Sequence, residues 1–127
     1  MGTTKMYELF VEDHFSAAHH LRGYLGNCAN LHGHNWQVKL LVQAKSVDQI
    51  GMAVDFRKLK SALGEIIGKL DHTQLNELPV FQTANPTCEA LAKYLFHEAS
   101  AILNDDNLRV TRIEVHETPK AGAAYFE

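Results

Sequence analysis

Cysteine and proline are scarce in this chain of 127 residues, and long apolar runs are missing from it. The two cysteines, Cys28 and Cys88, are too few for the disulfide framework of a small secreted domain, so we expect free thiols. No apolar stretch approaches the ~18 residues of a membrane-spanning segment, and the first residues lack the layout of a secretory signal. The sequence therefore predicts a cytoplasmic protein with no membrane partner.

Clustered positive charge is also missing. Lysine and arginine number 12 against 15 aspartates and glutamates, giving a formal net charge of −3 with no basic run. Because a phosphate-binding surface requires clustered positive charge, nucleic acid is not an expected partner. The length and the 46% hydrophobic content suit one core, so we expect a single domain over residues 1–127.

Alternating apolar and polar residues predict strands near both ends of the chain. Residues 6–19 and about 34–44 alternate in this way, and the loop between them, 20–31, contains glycine and asparagine. Two strands joined by a modest loop most often pair antiparallel. Two further strands are predicted at 109–117 and 123–126.

Two helices are predicted between these pairs of strands. Asp55 is a good N-cap for a helix whose apolar residues follow the three-and-four spacing of a buried stripe. Asn85 and Pro86 are expected to open a second helix, with Pro86 in its first position, and the segment 70–81 between the helices reads as irregular. The predicted fold is α+β, with a ββααββ order and two helices on one face of an antiparallel sheet.

Histidine is the unusual feature of the composition, with eight residues of which five lie between positions 14 and 34. His32 and His34 share one face of a strand about 6.5 Å apart, close enough to bind one ion. The third ligand should be His19 or His20 at the end of the first strand, and of the two His19 has the parity of the apolar Phe15. We therefore predict a metal site of His19, His32 and His34, since three imidazoles leave the fourth position of zinc open.

Cys28 divides the interpretations of this site. As a fourth ligand it would close the coordination sphere and make the site structural; as a free thiol beside a divalent cation it would be a nucleophile or base. Position along the chain permits both. Cys88, near the start of the second helix, is expected to be a small buried residue.

Several short motifs occur together in one order along nearly the whole chain. They are FSAAH at 15–19, CxxxHGH at 28–34, VDFxxLK at 54–60, LDHxxLN at 70–76, NPTxE at 85–89, and VxET at 115–118 followed by Ala124-Tyr125. This ordered set resembles the pterin synthases of the tunnelling fold, the group that contains 6-pyruvoyltetrahydropterin and 6-carboxytetrahydropterin synthases. The three residues between Cys28 and His32 are typical of the bacterial carboxy-forming branch, which serves queuosine and 7-deazaguanine biosynthesis.

The resemblance implies a zinc-dependent carbon–carbon lyase. It would convert 7,8-dihydroneopterin triphosphate to 6-carboxy-5,6,7,8-tetrahydropterin and release acetaldehyde and triphosphate. It also implies a homohexamer with active sites between subunits. The implied roles are zinc binding by His19, His32 and His34, proton transfer by Cys28, Asp71 and His72, and pterin binding by Glu117 and Thr87.

Simpler interpretations stay open for several of these residues. Asp71 and His72 could merely form a turn after the first helix, and Glu117 could be a solvated strand end. Thr87 and its neighbours can be interpreted as residues typical of the N-terminus of a helix. The pyruvoyl-forming synthase and a non-catalytic module stabilised by zinc, with Cys28 as fourth ligand, are the alternative functions.

Overall fold

The computed structural model describes residues 6–127, which form one five-stranded sheet and two α-helices. The order of the strands across the sheet is β3-β1-β2-β4-β5. The strands are β1 (Tyr7–His19), β2 (His32–Ala44), β3 (Thr73–Gln74), β4 (Leu108–Thr118) and β5 (Ala121–Phe126), and the helices are α1 (Phe56–Gly68) and α2 (Cys88–Leu103). The predicted α+β class is confirmed.

Strands β1 and β2 pair antiparallel along their whole length, as predicted. Phe15 faces Trp36, and His19 faces His32 at the end of the ladder. Because successive side chains in a strand alternate between faces, Phe15, His19 and Trp36 all lie on the face that carries the buried residues. The register therefore places the predicted metal ligands together on the helix-covered side of the sheet.

The two helices begin at capped residues and pack on this same face. The Asp55 carboxylate accepts a hydrogen bond from the backbone N–H of Arg57 at 2.8 Å, so the predicted N-cap of α1 is confirmed. The hydroxyl of Thr87 accepts from the N–H of Ala90 at 3.1 Å and caps α2. The prediction that Pro86 occupies the first helical position is wrong, because the chain is still extended at Thr87 and becomes helical only at Cys88.

The segment between the helices contains a strand that the sequence did not predict. Residues Thr73–Gln74 of β3 pair in parallel with Ala17 and Ala18 of β1, which makes the sheet mixed rather than wholly antiparallel. Two 3₁₀ turns follow, Leu75–Glu77 and Pro79–Phe81. A two-residue strand is too short to show an alternating pattern, so the segment 70–81 reads as irregular in sequence.

The core lies between the sheet and the helices. Trp36, Leu40, Leu63 and Leu91 are fully buried there, with side chains from β1, β2, β4, α1 and α2 forming one continuous cluster. No helix of the described residues is long and apolar enough to cross a membrane.

Candidate metal centre and adjoining cavity

Three histidines converge at the end of the β1–β2 ladder. One ring nitrogen from each of His19, His32 and His34 lies within 4.8 Å of one from each of the others. His19 ends β1, while His32 and His34 begin β2 two residues apart, so the pairing of β1 with β2 is what gathers them. This is the group of three that the sequence predicted.

Backbone carbonyls determine which nitrogen of two of these rings is free. Nδ1 of His19 lies 2.7 Å from the carbonyl oxygen of Pro86, and Nδ1 of His32 lies 2.7 Å from that of Asn30. A carbonyl oxygen can only accept, so each Nδ1 carries the proton and each Nε2 keeps its lone pair. Such hydrogen bonds commonly orient histidine ligands toward a metal.

The free nitrogens are buried and unpartnered. Nε2 of His19 and Nε2 of His34 have no hydrogen-bond partner among the described residues, although both atoms are buried. A buried polar atom left unsatisfied is costly, and a bound cation would satisfy both at once. Three imidazole nitrogens form a donor set that suits zinc and related divalent metals, so the residues present fit such an ion.

Burial also keeps the rings in the state that binds a metal. It is the main cause that lowers the pKa of His19 and of His34 from the ordinary value of 6.5. The neighbouring His32 lowers both pKa values further, whereas the Glu117 carboxylate opposes the shift. The imidazoles of His19 and His34 are therefore neutral near pH 7, as metal coordination requires.

Trp36 forms the wall behind the cluster, a role that sequence reasoning missed. Its ring centroid lies 4.8 Å from that of His19 and 5.1 Å from that of His34, both in edge-on contact. Its indole N–H donates to the carbonyl oxygen of Ala17 at 3.1 Å. The sequence signal for this contact is parity, since Trp36 follows His34 by two residues on one strand face.

Glu117 connects the histidines to a cavity. Its carboxylate oxygens lie 3.8 Å from Nε2 of His19 and 4.0 Å from Nε2 of His34. The same residue lines a cavity of about 380 Å³ together with Thr87, Cys88 and Glu89. The Glu117 carboxylate therefore lies between the histidines and the cavity, where a bound ligand can contact it.

A local irregularity determines where Glu117 lies. The register between β4 and β5 shifts between His116 and Thr118, so Glu117 is the extra residue of a β-bulge. Bulges are frequent next to active sites, where they re-aim a side chain. Glu117 thus lies one residue before the end of β4 with its side chain 34% exposed, and its carboxylate is also close to the histidines.

The two cysteines differ in their surroundings. Cys88 is buried in the wall of the cavity, where burial first and the neighbouring Glu117 second raise the pKa of its thiol to about 12. That thiol stays protonated at neutral pH, in agreement with the predicted small buried residue. Cys28 is half-buried in a 3₁₀ turn, Asn27–Ala29, and is not one of the residues in the histidine group.

Asp71 and His72 form a pair on the surface beside β1. Nδ1 of His72 lies 3.0 Å from an Asp71 carboxylate oxygen, and the other oxygen accepts from the N–H of Ser16 at 2.9 Å. The Ser16 bond, followed by His72, lowers the pKa of Asp71, so the carboxylate is ionised. His72 has a φ of 58°, and its side chain is 82% exposed. Both residues lie in the turn after α1, as the simpler interpretation of this segment expects.

Comparison with known proteins identifies close relatives. The family model described as 6-pyruvoyl tetrahydropterin synthase matches residues 8–127. The 6-carboxy-5,6,7,8-tetrahydropterin synthase of Bacillus subtilis is 32% identical over 126 residues, covering 94% of this chain and 84% of that protein. A protein of Archaeoglobus fulgidus that carries the same name provisionally is 39% identical over 103 residues, covering 81% of each chain.

The solved structures agree with this grouping. The structure of the Caenorhabditis elegans 6-pyruvoyl tetrahydropterin synthase superposes with a TM-score of 0.86 at 27% identity, covering 100% of this chain and 99% of that chain. Sequence and fold thus agree over nearly the whole length, and the chain belongs to the 6-pyruvoyl tetrahydropterin synthase family.

Proposed function

We propose that this protein is a zinc-dependent 6-carboxytetrahydropterin synthase, a carbon–carbon lyase of queuosine and 7-deazaguanine biosynthesis. It would convert 7,8-dihydroneopterin triphosphate to 6-carboxy-5,6,7,8-tetrahydropterin with release of acetaldehyde and triphosphate. The observation that carries the proposal is the set of three histidines with two buried, unpartnered Nε2 atoms, opening beside a cavity that Glu117 lines. The names of the Bacillus and Archaeoglobus relatives support the carboxy-forming product.

His19, His32 and His34 would hold the zinc. Three neutral imidazoles leave the ion its full charge and an open position, so it would act as a Lewis acid toward oxygens of the substrate side chain. The hydrogen bonds from Nδ1 of His19 and Nδ1 of His32 to backbone carbonyls keep Nε2 of each ring available.

Glu117 would bind the pterin ring, with Thr87 contributing to the same cavity. An ionised carboxylate accepts two parallel hydrogen bonds from a ring N–H and an adjacent exocyclic amine, which fits the edge of a pterin. Thr87 lies in the wall of the cavity, and its hydroxyl already accepts from the N–H of Ala90. Thr87 therefore shapes the cavity at the start of α2.

Cys28, Asp71 and His72 would move the protons. Cys28 would serve as the base. Three histidines suffice to bind the metal, so the thiol is not needed as a ligand and is available to accept and donate a proton. The ionised Asp71 accepts from Nδ1 of His72, which leaves Nε2 of that ring free to exchange protons.

The exposure of His72 favours a site shared between subunits. Its side chain is 82% exposed beside β1, which pairs with β3 only at Ala17 and Ala18 and is hydrogen-bonded to Asp71 and His72 at Ser16. The edge of β1 before Ser16 therefore has no neighbouring strand among the described residues. We propose a cytoplasmic homohexamer in which Asp71 and His72 act on the zinc site of a neighbouring copy. An open edge of this kind is suited to pairing with another chain.

Product analysis tests the proposal directly. Purified zinc-loaded protein is incubated with 7,8-dihydroneopterin triphosphate, and acetaldehyde, triphosphate and the pterin product are measured. We expect acetaldehyde and the carboxypterin in equal amounts. Triphosphate without acetaldehyde would favour the pyruvoyl-forming synthase, the function named for the Caenorhabditis structure. No turnover would overturn the enzyme assignment.

Replacing Cys28 separates catalysis from a structural zinc module. We expect Cys28→Ala to keep its zinc and its fold while turnover falls by at least about 100-fold, as for loss of a general base. Zinc content and circular dichroism are measured alongside turnover. Loss of zinc together with the fold would mean that Cys28 is a ligand.

A further inference from the structure

Two asparagine side chains hold the segment that follows β1. Oδ1 of Asn85 accepts from the N–H of Arg22 at 2.9 Å, and its Nδ2 donates to the carbonyl oxygen of Arg22 at 2.9 Å. Asn76 does the same for His20, accepting from its N–H at 2.9 Å and donating to its carbonyl at 3.0 Å. The proposed reaction gives these asparagines no role.

Paired bonds of this kind constrain the backbone strongly. A carboxamide presents one donor and one acceptor side by side, as a neighbouring strand would. Two bonds to one residue restrict its rotation as well as its position. Asn76 is only 6% exposed, so its bonds are shielded from competition with water.

The held segment begins directly after a metal ligand. His19 precedes the clamped His20, and the acceptor for its Nδ1–H, the carbonyl of Pro86, directly follows the clamping Asn85. The ligand and its acceptor therefore lie on the two chain segments that the asparagines join. If the segments separated, His19 would lose the hydrogen bond that orients its ring.

We propose that Asn76 and Asn85 are positioning residues for the metal site. By joining residues 20–22 to residues 76–86, they hold Nδ1 of His19 on the Pro86 carbonyl and keep Nε2 directed at His32 and His34. This inference rests on the zinc site of the proposed function but not on the reaction catalysed there.

The chain contains a matched control at the opposite end of the sheet. Oδ1 of Asn107 accepts from the N–H of Ser46 at 2.9 Å, and its Nδ2 donates to the carbonyl of Ser46 at 3.1 Å. Asn107 and Asn85 are both half-buried. Ser46 lies just beyond the end of β2 that is remote from His32, so Asn107→Ala removes the same kind of clamp away from the metal site.

The experiment compares the zinc affinity of wild type, Asn85→Ala and Asn107→Ala by competition with a chromophoric chelator. We expect Asn85→Ala to bind zinc about 10- to 100-fold more weakly, the usual effect of losing support for a metal ligand. Asn107→Ala should bind zinc as the wild type does. The visible spectrum of cobalt-substituted protein should change in Asn85→Ala alone, because it reports the ligand geometry.

Urea unfolding of each metal-free variant separates positioning from general stability. Unchanged zinc affinity in folded Asn85→Ala would overturn the inference, as would an equal loss of affinity in Asn107→Ala. Asn85→Asp keeps the acceptor and removes the donor, so its zinc affinity should lie between those of the wild type and Asn85→Ala. If Asn85→Ala does not fold, Asn85→Asp replaces it in the comparison with Asn107→Ala. A wild type that binds zinc but releases no acetaldehyde would overturn the proposed reaction and leave this inference standing.

Discussion

Gly122 lies where two strands meet too closely to accept a side chain without a shift of the backbone. It lies in β5 opposite His116 of β4, next to the bulge at Glu117. A Cβ atom added there would lie 2.5 Å from the carbonyl oxygen of Val115, and 2.9 Å and 3.0 Å from Cγ and Cα of His116. Two of these three atoms belong to the backbone, so Gly122→Ala cannot be relieved by a side-chain rotation alone.

The size of the effect follows from two opposing contributions. Overpacking that shifts the backbone costs about 1 to 3 kcal/mol, whereas the reduced freedom of the unfolded chain returns about 0.4 to 1 kcal/mol. We expect Gly122→Ala to lower the free energy of unfolding by about 1 to 2 kcal/mol. Because the bulge must move with β5, the Glu117 carboxylate should also be displaced and the KM for the pterin substrate should rise.

Urea unfolding at one fixed protein concentration measures the change, since an oligomer's stability depends on concentration. Gly64→Ala is the control, because Gly64 lies inside α1 and an added Cβ there meets nothing within 4 Å. We expect Gly64→Ala to stabilise the protein by about 0.5 to 1 kcal/mol. Equal stability changes for Gly122→Ala and Gly64→Ala would refute the argument from close strand contact.

Three further predictions concern the core and the histidines. Trp36→Phe removes the indole N–H that donates to the buried carbonyl of Ala17, and should lower the free energy of unfolding by about 1 to 3 kcal/mol in urea. Leu63→Ala, at a fully buried site, should cost about 2 to 5 kcal/mol in the same assay, and a loss under about 1 kcal/mol would contradict the packing. The pKa values of His19 and His34 are lowered from 6.5 by folding, so the unfolded chain binds more protons, and metal-free protein should lose stability as the pH falls through 6.5. Urea unfolding at pH 7.5 and 5.5 checks this, and a His34→Gln variant as pH-sensitive as the wild type would contradict it.

The histidine cluster could be predicted because it depends on local geometry. His32 and His34 share a strand face by the two-residue period, and His19 needs only the pairing of two consecutive strands to reach them. The same short-range rules found the Asp55 cap and the strand containing Trp36. Each of these inferences uses residues that are close in sequence or joined by one loop.

The start of the second helix shows where such rules fail. Proline suits the first position of a helix, yet Thr87 has a hydroxyl that accepts from the N–H of Ala90 and so takes the N-cap. Pro86 is thereby left outside the helix, where its carbonyl oxygen accepts from Nδ1 of His19. Both Pro86 and Thr87 suit the start of a helix in sequence. The role of Pro86 becomes clear only from its hydrogen bond with His19, which lies 67 residues earlier in the chain.

The spacing of its histidines and the alternation of its strands were enough to specify a three-imidazole site in an α+β domain, because side-chain direction in a strand depends only on position along it. The tertiary structure alone decided which nitrogens are free, what holds His19 in place and where Glu117 lies. Those features depend on the Pro86 carbonyl, the Asn85 clamp on Arg22 and the close approach of Gly122 to β4. Hydrogen bonds and steric contacts between distant segments leave no periodic pattern, so only the folded chain shows them.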